Sequence, residues 1–188
     1  ASHFTAQDDA VGVARQDSAS VAKRLSSRNA SERRGAAEEL ARLAATEHRR
    51  LVEGYRVQER DVRVKLAMDW ALYRQGKSEA IYSLVRALDS KQAEQAVSYL
   101  SALETPAPLY VVLSRVNGNT QIRLLEVLAH VGDRDTLEQI KPFAASLDPG
   151  IADAAKFAER EITIRLEETP AAEPKRQRLV SKGETSEP

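Results

Sequence analysis

Residues 61–89 read DVRVKLAMDWALYRQGKSEAIYSLVRALD, and the spacing within this stretch decides the fold. Asp61 is a short side-chain acceptor of the kind that caps a helix start, and Gly76 can take the backbone turn that ends one. Between and beyond them the apolar positions step by four (Met68 to Leu72) and by three (Ile81 to Leu84), the period of a helix face. Outward from this stretch the pattern returns every 28 residues: Leu72, Leu100 and Leu128; Ile81, Leu109 and Leu137; Leu84, Val112 and Ile140; Met68, Ala96 and Leu124, with Leu40 one period before Met68. Each period holds two short helices. One such helix alone would expose its apolar stripe, whereas stacked neighbours bury a continuous core.

The breaks between helices fall where this frame needs them. Ser31 precedes a helical run, Thr105-Pro106 puts a hydroxyl before a proline suited to a first helical turn, and Gly118-Asn119, Gly132-Asp133 and Asp148-Pro149-Gly150 break the later segments. The predicted architecture is an all-α, right-handed α-solenoid of about five antiparallel helix pairs, over 17–46, 47–75, 76–103, 104–131 and 132–167. The spacing slips near Leu51 and Tyr55, leaving one long helix as the alternative to two short ones there. Residues 1–16 show no sustained periodicity and are read as a loose lead-in. Residues 168–188 are rich in Pro, Glu, Ser and Lys, and are expected to be a disordered tail, because they carry too little apolar surface to offset ordering.

The run Asp61-Val62-Arg63, Ala67, Ala71-Leu72, Gly76, Ala80, Leu84 and Leu88-Asp89 resembles the HEAT-like repeat found in phycobilisome lyases and armadillo-like α-solenoids. Weaker copies are Ser31 with Arg34, Ala36, Ala37 and Leu40, and Asp148-Pro149 with Ala154, Ala155 and Ala158. The resemblance covers residues 17–167. It implies that Arg63 reaches a carboxylate of an adjoining repeat, and that Pro142 kinks the first helix of the last pair. Gln92-Ala93 and Gln121-Ile122 replace the Val-Arg pair in two repeats, so any arginine ladder is interrupted. The resemblance specifies a fold much more than a function, since such repeats serve lyases, scaffolds, adaptors and DNA-repair enzymes.

Composition narrows the chemistry. Of 188 residues 42% are hydrophobic, enough for a core, and the 28 basic residues are matched by 28 acidic ones, so no global field recruits nucleic acid or an anionic membrane. The absence of cysteine removes disulfides and thiol chemistry. No apolar run reaches the length of a membrane span. Ala1 fits removal of an initiator methionine or signal-peptide cleavage equally, leaving cytoplasmic and exported locations both open.

No catalytic, cofactor or metal constellation is legible. His3, His48 and His130 show no metal-ligand spacing, and no nucleophile elbow or phosphate-binding glycine loop is present. His48 reads as a solvated helix residue. Glu38-Glu39 with Arg42, and Glu47 with Arg50, have the spacing of exposed ion pairs. Asp69, between Met68 and Trp70, is the one carboxylate with apolar neighbours, and it lacks an evident partner. The arginines of residues 49–65 are interleaved with Glu53, Glu59 and Asp61.

The expected function is therefore non-enzymatic: a protein–protein interaction scaffold or accessory subunit with no cofactor. The alternatives are a lyase- or chaperone-like subunit handling a pigment or cofactor, as the resemblance implies, and a HEAT-like nucleic-acid binder. The expected binding face is the layer of second helices, through Arg63, Trp70, Arg74, Gln95, Ser98, Ala102, Arg123 and Glu126. Trp70 itself has two readings: cover by a preceding helix carrying Leu51, Val52 and Tyr55, or an exposed aromatic anchor of the type that dominates interfaces.

Overall fold

The computed structural model describes residues 17–169, and within them every regular element is a helix. The expected lead-in over 1–16 and the expected tail over 170–188 lie outside the described residues. Helix α1 covers 17–23, followed by α2 (Ala30–Leu43), α3 (Arg49–Gln58), α4 (Val62–Arg74), α5 (Ile81–Arg86), α6 (Ala93–Ser101), α7 (Ala107–Leu113), α8 (Gly118–Val131), α9 (Arg134–Ala144) and α10 (Pro149–Glu168). Two helices thus fall in each of the five segments set by the 28-residue frame. Residues 17–75, where one long helix was the alternative, contain four. The even-numbered helices meet in sequence, α2 with α4, α4 with α6, α6 with α8 and α8 with α10, while α7 lies against α9. The α2–α4 and α8–α10 contacts are far more extensive than those α6 makes on either side.

Caps explain most of the boundaries. The Asp61 carboxylate accepts from the Arg63 and Val64 amides, and Asp148 does the same for Gly150 and Ile151 ahead of Pro149. Asp133 and Thr136 form a reciprocal capping box at the start of α9. At the end of α4, Gly76 adopts φ +95°, its amide donates to Tyr73 and that of Lys77 donates to Leu72, a Schellman closure that Cβ-bearing residues resist. Gly132 has a different reason: a Cβ there would sit 2.5 Å from the Leu128 carbonyl and 2.6 Å from Ile162 Cδ1, so glycine lets α10 close on the end of α8.

Two expected caps are corrected. Asn29, rather than Ser31, caps α2, because Asn29 is extended and its side chain accepts from the Ser31 amide at 2.8 Å. No side chain caps α7; Pro106 already has helical torsions, so the chain enters the helix past Thr105 without needing its hydroxyl. Helix α9 runs to Ala144 with Pro142 inside it. Helix α10 reaches Glu168, one residue beyond the expected limit of the body.

The third pair departs from its neighbours. Where α4 has Asp61, α6 has Gln92, which makes no side-chain cap bond. The Gln92 amide is instead taken by Ser90 Oγ at 3.0 Å, and α6 spans nine residues against 13 for α4 and 14 for α8. A short helix between two longer ones cannot fill the space along their full length.

Leu72, Leu100 and Leu128 are buried to 1%, 0% and 0% exposure, and Met68, Ala96 and Leu124 are all at 0%, within one contiguous core. Leu137 is only half-buried, unlike its counterparts Ile81 and Leu109. Part-buried ion pairs tie consecutive helices together. Arg33 at the start of α2 grips Glu59 after α3 with two bonds, 2.7 and 3.0 Å, and Glu59 also accepts from the amides of Arg60 and Asp61.

The hydrogen bond from Arg33, above all, holds the Glu59 carboxyl below its ordinary value of 4.5. A carboxylate depressed in the folded state stabilises the fold above the unfolded-state value, and that contribution is lost as pH falls through the folded one. Glu59→Gln is therefore expected to lower the melting temperature at neutral pH, by a deficit that shrinks progressively as pH falls below the ordinary carboxylate range. Melting curves across that range check this; a deficit that stays constant with pH contradicts it.

Candidate protein-binding face

Five of the eight residues expected on the binding face fall into two sets, and Arg63, Ser98 and Ala102 belong to neither. Trp70 is 7% exposed, so the exposed-anchor reading is corrected. Its cover comes from an unforeseen direction: its ring stacks on Tyr99 of α6, centroids 5.6 Å apart and planes 3° from parallel, and on Tyr73 at 5.9 Å. Arg74 lies over the indole with its guanidinium carbon 5.8 Å from the ring centroid, a cation–π geometry. The same guanidinium lies 3.6 Å from the Glu104 carboxylate.

Gln95 extends this seam. Its side-chain amide donates to the Arg63 carbonyl at 2.9 Å and to the Tyr99 hydroxyl at 2.7 Å, and Tyr99 donates to Glu38 at 2.6 Å. Glu38 in turn accepts from Arg34 at 2.9 Å. Burial first, and the bond to Glu38 second, push the Tyr99 phenol up, so it stays a neutral donor. Trp70, Arg74 and Gln95 therefore hold α2, α4 and α6 together. Arg63 is exposed and lies 3.6 Å from Asp61, the cap of its own helix, so the adjoining-repeat carboxylate implied for it is corrected. Asp61 is closer at hand than any carboxylate of a neighbouring helix, which the short Asp-Val-Arg spacing ensures.

The second set lines open space. Between α6 and α8 runs a groove of about 510 Å³ that includes Arg123 and Glu126, joined to each other at 3.0 Å. Leu88, Ala93, Val97 and Val127 give it an apolar lining, and Asp89, Glu94 and His130 stand with the arginine–glutamate pair around it. Val97 is 38% exposed and is the exposed large apolar side chain of the groove lining. Ser98 on α6 and Ala102 just after it are exposed and lie outside the groove lining. Sequence reasoning missed Asp89, Glu94, Val97 and His130. The signal was Gln92 in the cap slot, which shortens α6 and leaves the gap.

Groups with catalytic potential are engaged structurally. Asp69, 5% exposed, is bound by Arg56 through both carboxylate oxygens, one contact being 3.1 Å, which supplies the partner that the sequence did not reveal. His48 is corrected from solvated to partly buried: its Nε2 lies 3.2 Å from Ser18 Oγ, which donates to Glu47 at 2.9 Å. That trio does not form a nucleophile–base relay. Glu47 approaches the same ring nitrogen as the serine, at 3.8 Å, whereas a relay needs the acid on the opposite nitrogen. Of the expected exposed pairs, Glu39 and Arg42 are joined at 2.5 Å. Among the described residues no group of three or more His, Asp or Glu is placed to hold a metal ion, and no helix is long and apolar enough to cross a membrane. Searches of protein-family models, curated proteins and solved structures each gave no match.

Proposed function

We propose that this chain is a non-enzymatic interaction module, a right-handed α-solenoid of five HEAT-like helix pairs that binds a protein partner along its second helices. The observation that carries the reading is the α6–α8 groove, where an exposed valine and apolar floor are rimmed by charged groups. Such a surface suits a protein chain, with an apolar centre and a polar rim, more than a phosphate backbone, which needs unopposed cations. Arg123 is the one arginine of the groove, and Glu126 neutralises it. The sequential meeting of α2, α4, α6, α8 and α10 supports the layered arrangement, and the 28-residue burial pattern supports the repeat.

The test is affinity capture with the full chain and with Val97→Arg, which plugs the groove with a long charged side chain. Loss of the captured partner, with the melting temperature within about 2 °C of the parent, is the expected result. Equal capture by both proteins contradicts the assignment of the face. A retained chromophore favours the pigment- or cofactor-handling reading, and binding whose strength collapses with added salt favours nucleic acid.

A further inference from the structure

The same groove carries information about its occupant, and the inference drawn from it rests on the interaction-module reading. We infer that the α6–α8 groove receives a basic segment of a partner protein, in which Lys or Arg side chains flank one aliphatic residue. The apolar floor of Leu88, Val97 and Val127 is offset from three carboxylates, Asp89 at the turn before α6, Glu94 on α6 and Glu126 on α8. Against these stands a single guanidinium, Arg123, which pairs with Glu126 and leaves Asp89 and Glu94 unmatched by any lysine or arginine of the lining, with His130 in the last turn of α8. The acidic excess is local, because the whole chain has zero net charge.

Position adds to composition. The Asp89 carboxylate is held by Asn119 Nδ2 through Oδ1 at 2.6 Å, which fixes one end of the rim before any partner arrives. Glu94 stands one turn ahead of Val97 on α6, so a carboxylate and the exposed aliphatic contact share one helix face. A volume of about 510 Å³ is room for a few side chains rather than a folded domain. A short peptide with an aliphatic centre and cationic flanks places its apolar atoms on the floor and its charges against the rim. An acidic peptide would bring carboxylate against carboxylate.

Two fluorescein-labelled ten-residue peptides serve as probes against the full chain: one with a single Val between pairs of Arg and Lys, the other with each basic residue replaced by Glu. Fluorescence anisotropy should show saturable binding of the basic peptide at about 0.15 M salt and none of the acidic one. The double variant Glu94→Gln/Glu126→Gln should weaken binding about tenfold while its melting temperature holds. Val97→Arg should abolish it. Equal binding of both peptides, or an unchanged affinity in the double variant, overturns the inference. So does a concentration-dependent dimer that Val97→Arg dissociates, because the occupant is then a second copy. If Val97→Arg abolishes partner capture but the Gln variant captures normally, the binding face stands and the basic occupant alone falls.

Discussion

Replacing Trp70 by alanine is expected to cost about 3–5 kcal/mol of folding stability, the range for removing a buried aromatic ring. The indole is 7% exposed and lies against Tyr99 at 5.6 Å, so its loss opens a cavity and strips one face from the tyrosine that reaches Glu38. Arg74 would lose its aromatic face as well. Urea unfolding followed by circular dichroism is the measurement, since Trp70 is the only tryptophan and the variant has no indole fluorescence. Trp70→Phe should recover a large part of the deficit by keeping a ring in the stack. A loss below about 1 kcal/mol would mean that the ring faces solvent, and the α2–α4–α6 seam would be wrong.

Leu100→Ala should be nearly as damaging, at about 2–5 kcal/mol, while Ser98→Ala should change stability by less than about 0.5 kcal/mol. Leu100 is fully buried and Ser98, two positions earlier on the same helix, is exposed. The contrast tests the register of the 28-residue repeat at its weakest helix. Equal effects from the two substitutions would place α6 in a different rotation from the one described.

The buried frame was legible in the sequence because it depends on local spacing. Met68, Ala96 and Leu124 are all at 0% exposure, as a single period of 28 demanded. Leu137 breaks the series for a reason that periodicity does not encode: α9 lies against α7 and α10, and among the described residues no further helix pair packs on it. Ion pairing was less legible. Arg33 and Glu59 are 26 residues apart, and a long arginine side chain can choose among several carboxylates at comparable reach, so spacing does not select the partner. The neighbour of Trp70 was misread for a related reason. The frame aligns Trp70 with Ser98, but the ring that meets it belongs to Tyr99, one position on. The groove was hidden because its cause is a weak cap at Gln92, visible in sequence, while its consequence is a gap between α6 and α8.

The most direct test of the binding face is hydrogen–deuterium exchange of the full chain, alone and saturated with its captured protein partner. Slower exchange over residues 88–98 and 123–130, the two walls of the groove, is the result this account predicts. Protection confined to α3 and α9, with the groove walls unchanged, would contradict it.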